Sequence, residues 1–158
     1  MSQSASPLQT AHAYAPPSVT QFSVFLDNRV GKLLDVVEAL DNRPGFSICA
    51  LTVNEASDHA VVRIITNNAD RTRDVLREKN MAFSETPLLI VELVNGHTLE
   101  SMCLALLSAE LNIRFAYPLM RRPNGTPTIA LSVDDITLAG QLLRKKNFRL
   151  LGEADLPK

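Results

Sequence analysis

Two copies of one secondary-structure pattern make up this chain. Over its 158 residues, hydrophobic alternation and turn residues predict the order strand, helix, strand, strand, helix, strand in residues 21–88 and again in residues 89–151. Each copy holds roughly 65–70 residues, which is near the lower limit for an independent hydrophobic core. We therefore expect the copies to pack against each other or against another chain. The first helices repeat the same spacing of apolar residues: Leu33, Val36, Val37 and Leu40, then Leu99, Met102, Cys103 and Leu106.

The repeated order predicts an α+β fold made of two βαββαβ units. Each unit is expected to be ferredoxin-like, with an antiparallel sheet and both helices on one face. We expect a flexible N-terminal tail at residues 1–18, because this segment is rich in Ser, Ala, Gln and Pro and cannot bury enough apolar area to offset the entropy of ordering it. The first unit then covers residues 19–88 and the second residues 89–158. Thr98, and either Asp134 or Asp135, are predicted to cap helices, and Pro118 predicts a sheet edge or a bulge.

Composition excludes several functional classes. A net charge of −1 gives no electrostatic signature for nucleic acid or an anionic membrane, and no apolar run approaches the ~20 residues of a membrane span. The third strands, residues 60–66 and 127–133, carry no aromatic residue that could stack RNA bases. Cys49 and Cys103 are expected to be buried free thiols in a reducing cytoplasm. No zinc spacing, phosphate-binding loop or nucleophile motif occurs, so we expect no metal, no cofactor and no catalysis.

The loop before the first helix differs most between the copies. In the first copy it contains Gly31, and a glycine-bearing loop that enters a helix exposes backbone amides at the positive end of the helix dipole. A carboxylate placed there is stabilised without a dedicated cationic side chain. Asn28 and Asn95 could add hydrogen bonds to such a ligand. The alternative is that Gly31 serves only the turn, Arg29 is a solvated charge, and His97 is an exposed residue.

These residues resemble the ACT-domain family. Residues 22–33 look like the opening of an ACT domain, in which a strand leads into an Asp-x-x-Pro-Gly-x-Leu loop. Residues 89–92 and 111–117 resemble the second unit of tandem ACT-domain proteins, and residues 132–135 and 148–151 complete the match. The resemblance covers residues 19–151. Two departures stand out: Val30 replaces the family's proline, and the loop before the second copy's first helix is one residue shorter.

The resemblance implies a non-catalytic, regulatory and allosteric module that binds a small amino acid at an interface between two ACT units. It also implies a homodimer formed through sheet edges or helices, and regulation of a metabolic enzyme in trans. The alternative is a protein–protein interaction module whose ligand site has decayed and which modulates such an enzyme. The family's site maps here to Asn28, Arg29, Val30, Gly31 and Leu33 with Leu51, Thr52 and Val53, and to Asn95, Gly96, His97 and Thr98 with Tyr117, Pro118 and Leu119.

Overall fold

The computed structural model of this chain describes residues 16–27, 30–41 and 43–157. The order of its elements confirms the predicted α+β fold of two ferredoxin-like units. The first repeat contains β1 Val19–Asp27, α1 Lys32–Asp41, β2 Ile48–Glu55, β3 His59–Thr66, α2 Ala69–Glu78 and β4 Ala82–Glu92. The second adds α3 Leu99–Ser108, β5 Ile113–Pro118, β6 Thr128–Val133, α4 Ile136–Lys145 and β7 Arg149–Leu151, with short 3₁₀ turns at Pro123–Gly125 and Glu153–Asp155.

Strand β4 belongs to both repeats. Its residues 82–88 pair with β1, and its residues 89–92 pair with β6 on one side and β7 on the other. The resulting sheet has the strand order β2-β3-β1-β4-β6-β5, with β7 attached to β4. The last strand predicted for residues 21–88 and the first strand predicted for residues 89–151 run on in the structure without a break. The repeats are therefore joined by continuous backbone hydrogen bonding rather than by a linker.

Three apolar clusters form the core. In the first repeat, strand residues such as Phe22 and Ile64 pack against Val36, Leu40 and Leu76 of the helices. The second repeat has an equivalent cluster under its own helices, which includes Leu89, Val91, Met102, Leu106 and Leu143. The third cluster takes residues from strands of both repeats: Val19, Cys49, Ala50, Ile65, Leu88, Ile90, Tyr117, Ala130 and Leu151. This third cluster holds the two repeats together on the side of the sheet that the helices leave uncovered.

The ends of the described chain cross over to the opposite repeat. Pro16 lies directly against Gly140 of α4, so the segment that precedes β1 contacts the second repeat. Near the other end, the backbone N–H of Ala69, the first residue of α2, donates to Glu153 Oε1 at 2.8 Å. The Ser47 hydroxyl donates to the carbonyl of Pro157, also at 2.8 Å. Both crossings add contacts between the repeats beyond the shared strand.

Several local predictions can be compared directly with the structure. Thr98 and Asp135 cap α3 and α4 as predicted, and β5, which ends at Pro118, lies at an edge of the sheet. Cys49 is buried, but the prediction for Cys103 was wrong because this thiol is exposed. The buried side of α3 consists of Met102, Ala105 and Leu106, and this turns Cys103 away from the core.

Candidate functional site

The chain enters α1 of the first repeat through a glycine in the left-handed region of backbone space. Gly31 has a φ of +92°, which a residue with a side chain rarely adopts. Its carbonyl accepts from the N–H of Asp35 at 3.0 Å, the first hydrogen bond of the helix. The N–H groups of the first residues of a helix have no acceptor within the helix, and Gly31 has no side chain to supply one. Val30 is fully exposed, and the predicted contacts Asn28 and Arg29 lie outside the described residues.

Two cavities flank the start of α1. A groove of about 140 Å³ brings together Leu33 and Val53, two residues of the first predicted set. A larger cleft of about 720 Å³ lies beside it and reaches Met81 at the start of β4. Asp27 and Lys32 line both cavities. The start of α1 therefore lies between two concave surfaces, each of which has a carboxylate and an ammonium group in its wall.

The remaining β2 residues of the first set are divided between the two faces of the sheet. Leu51 packs against the first repeat's core. Thr52 is the next residue, so its side chain points to the opposite face. Its hydroxyl is buried without a hydrogen-bond partner among the described residues. Of the three β2 residues, only Val53 lines the groove.

The corresponding loop of the second repeat is closed by its own hydrogen bonds. Asn95 and Gly96 have φ values of +58° and +85°, and the N–H of His97 donates to the carbonyl of Val94 at 3.2 Å. Thr98 then caps α3 reciprocally: its hydroxyl accepts from the N–H of Ser101 at 3.1 Å, and its own N–H donates to the Ser101 hydroxyl at 2.8 Å. Two donors that an anion would need are thereby engaged.

The His97 ring is also held within the second repeat. It stacks on Phe148 with a centroid distance of 3.8 Å. Its Nε2 atom lies 3.1 Å from the carbonyl oxygen of Asn147. These contacts tie the loop before α3 to the segment that leads into β7.

The β5 residues of the second set lie at the contact between the repeats. The buried Tyr117 hydroxyl donates to Gln21 Oε1 of β1 at 2.6 Å, and Leu119 belongs to the cluster shared by both repeats. Burial raises the pKa of the Tyr117 phenol, and the charge of Arg63 opposes this shift. Pro118 is exposed at the sheet edge. No residue of the second set lines either of these two cavities, so both cavities are formed by the first repeat.

Sequence reasoning missed Asp27 and Lys32 as site residues, although both belong to the segment that resembles the ACT opening. Their positions on either side of the loop before α1 could have indicated that they belong to the site. The large cleft adds charges of both signs, namely Asp35, Glu38, Arg43 and Lys79. Side chains of both signs match a ligand that carries an ammonium and a carboxylate. Within the described parts of the chain, no cluster of His, Cys, Asp or Glu could hold a metal ion, and none of the helices has the length and apolar character that a bilayer crossing requires.

Two ferredoxin-like units joined in tandem, with a glycine-bearing loop at the start of the first helix, define a class of small α+β domain pairs. The sequence profile of one family, described as an ACT domain pair, matches residues 17–157. Because this match covers nearly the whole chain, the chain belongs to the ACT domain pair family.

Solved structures share this fold. Protein BT0572 from Bacteroides thetaiotaomicron is 22% identical, with 89% of this chain and 96% of that chain covered and a TM-score of 0.76. The ligand-free regulatory subunit of aspartate kinase from Thermus thermophilus is 14% identical, with 84% and 92% covered and a TM-score of 0.52. At these identities the likeness concerns the fold alone. No curated protein sequence matches the chain.

Proposed function

We propose that this chain is a non-catalytic regulatory protein of the cytoplasm that binds a small amino acid at the loop before α1. Its α-carboxylate would accept hydrogen bonds from the backbone N–H groups at the start of α1, and its side chain would lie in the groove beside Leu33 and Val53. The chain would act as a homodimer and would regulate a metabolic enzyme in trans, as the resemblance to the family implies.

One observation carries this proposal: the two duplicated loops now differ in the residue that leads into the helix. Thr98 and Ser101 satisfy each other at the start of α3. At the start of α1, by contrast, Gly31 has no side chain, and a groove opens beside the first turn. A free helix N-terminus is suited to an anion because both the N–H groups and the dipole favour negative charge.

The ligand would be held by the first repeat of each chain. ACT sites are expected to combine the loop of one unit with the second strand of its neighbour, yet the second repeat's β5 residue Tyr117 forms a hydrogen bond with Gln21 inside the same chain. Each copy of the homodimer would then carry its own site, and ligand binding would alter the contact between the two copies.

Titration calorimetry against the twenty amino acids tests the ligand. We expect heat of binding for a small subset of them and none for the rest. In Gly31→Val, affinity should fall at least tenfold, because the side chain opposes a φ of +92° and takes the space of the carboxylate. Gly45→Val is the matched control: Gly45 also has a positive φ, +70°, and open space around it, but it lines neither cavity. Absence of binding at millimolar ligand would contradict the proposal, and equal losses in both variants would misplace the site.

The second candidate is an interaction module that works without a ligand. The closed loop of the second repeat favours it, since that copy has lost the open helix start while keeping the fold. In that case, capture of the partner enzyme by this chain would be unaffected by any amino acid. A change in capture on addition of the calorimetrically active amino acid would instead support the ligand-binding protein.

A further inference from the structure

The outer surface of α3 is apolar, which is unusual for a helix that faces solvent. Leu99, Leu104 and Leu107 are 53%, 56% and 69% exposed, and the Cys103 thiol is exposed beside them. We call these four residues the α3 stripe. Of the ten residues in this helix only Glu100 is charged. A helix that is apolar on all sides is normally buried on all sides.

The duplicated helix α1 shows that the fold does not require this stripe. Buried Leu40 of α1 corresponds to buried Leu106 of α3, an offset of 66 residues that also aligns Val36 with Met102. By the same offset, Leu104 and Leu107 correspond to exposed Glu38 and Asp41. The same scaffold therefore carries carboxylates at these two positions in one repeat and leucines in the other. The two leucines are therefore a surface feature of the second repeat alone.

The stripe has the size of the centre of a dimer interface. Its exposed apolar area is on the order of 300 Å², comparable to the largest apolar patch of a typical monomer. A stable dimer buries about 800 Å² per partner, with an apolar centre and a polar rim. The stripe thus supplies the centre, and the surface around α3 and α4 would supply the rim.

The spacing within the stripe suits a second copy of the same chain. Leu99 and Leu107 lie four residues before and four residues after Cys103. In a two-fold contact the same surface meets itself, so an antiparallel helix pair centred beside Cys103 brings Leu99 of each copy onto Leu107 of the other. This arrangement also opposes the two helix dipoles and separates the two Glu100 carboxylates to opposite ends.

We infer that two copies of this chain associate through the α3 stripe, with their α3 helices antiparallel and the two Cys103 residues adjacent at the two-fold axis. This inference rests on the homodimer of the proposed function and specifies its surface. The amino-acid site at α1 lies in the other repeat, so the failure of one proposal is distinguishable from the failure of the other.

The test combines mass measurement with cross-linking of the full chain. We expect a dimer by light scattering at micromolar concentration. In the double variant Leu104→Glu with Leu107→Asp, which copies the residues of α1, dissociation should become at least a hundredfold easier while circular dichroism stays unchanged. Leu34→Glu on α1 is the matched control, since Leu34 is also 56% exposed, and it should leave the dimer intact.

A short bis-maleimide reagent supplies the second measurement. The wild-type chain should give a covalent dimer through Cys103, because Cys49 is buried. Cys103→Ser should give none, and neither should Cys103→Ser combined with Leu34→Cys. A dimer that survives both leucine substitutions, or that cross-links through position 34 and not 103, overturns this surface but leaves the homodimer standing. A monomeric wild-type chain overturns both, and calorimetry would still report on the ligand site.

Discussion

The two repeats begin their second helices in the same way and their first helices in different ways. Asn68 caps α2 by accepting from the N–H of Arg71 at 3.0 Å, and Asp135 caps α4 by accepting from the N–H of Leu138 at 3.0 Å. The first helices diverge: α3 begins with the Thr98 cap, whereas α1 begins after Gly31. The described residues show side-chain caps at the starts of α2, α3 and α4, so the glycine before α1 is a departure specific to the first helix of the first repeat.

A second difference lies between the second helix of each repeat and the strand that follows it. In the first repeat, Arg73 of α2 forms an ion pair with Glu85 of β4 at 2.6 Å. The offset of 67 residues that aligns Asn68 with Asp135 places Gly140 and Gly152 at these positions in the second repeat. The N-terminal prolines occupy the space that the missing side chains leave, with Pro16 against Gly140 and Pro17 near Gly152. An ion pair in one repeat is thus replaced by a docked chain segment in the other.

Substitution of Gly140 tests this second difference between the repeats and should have the largest effect on the free energy of unfolding. A Cβ at Gly140 would lie 2.3 Å from Pro16 Cβ, so Gly140→Leu should lower the free energy of unfolding by about 2 kcal/mol. Gly152→Ala is the control, because its Cβ would make an ordinary contact of 3.6 Å with Pro17. Urea unfolding measures both variants. In a chain that starts at Ser18 the penalty for Gly140→Leu should disappear; a penalty that persists there would show that Pro16 is not its cause.

This docking illustrates which parts of the fold sequence alone could predict. Element order, the caps Thr98 and Asp135 and the edge position of β5 all follow from local signals, namely periodicity, turn residues and proline. The contact of Pro16 with Gly140 joins residues more than a hundred positions apart, and nothing local encodes it. Cys103 was misassigned for a related reason: Leu99, Met102, Cys103 and Leu106 fit a helical period, but Ala105 takes the inward position and the true buried face is rotated.

Loss of the Thr98 cap tests the difference between the starts of α1 and α3. Its effect on the free energy of unfolding should be intermediate. Thr98→Ala should lower the free energy of unfolding by about 1 kcal/mol, because two backbone hydrogen bonds at the start of α3 lose their reciprocal geometry. Lys32 occupies the equivalent position in α1, and Lys32→Ala should change the unfolding free energy far less. Chemical denaturation of both variants checks this contrast. Equal losses would mean that the start of α1 is capped as firmly as that of α3.

The candidate site was less predictable than the fold. Leu33 and Val53 line one groove within the first repeat, and the successive order of β1, α1 and β2 already places them in the same unit. The place of Tyr117 depends on how one sheet lies against the other, which brings it to Gln21 across 96 positions of sequence. Both the Leu33–Val53 pair and Tyr117 were assigned to ligand binding only from the positions that they match in the ACT family. Asp27 and Lys32 were visible beside the loop, yet only the cavities show that they face the same space.

The ion pair of the first repeat should give the smallest effect and a characteristic pH dependence. Hydrogen bonds from Arg73 lower the pKa of the Glu85 carboxyl, so its contribution to stability is present above the carboxyl's ordinary pKa and is lost as pH falls through the lowered value. Glu85→Gln should therefore lower the melting temperature by about 1–2 °C at pH 7, since exposed pairs contribute little. The difference should vanish in acid once the wild-type carboxyl is protonated.

Asp70→Asn is the control, because the Asp70 side chain is 92% exposed and also reaches Arg73. A melting temperature at pH 7 that is unchanged in Glu85→Gln would show that the ion pair between α2 and β4, which Gly152 excludes from the second repeat, adds no stability of its own.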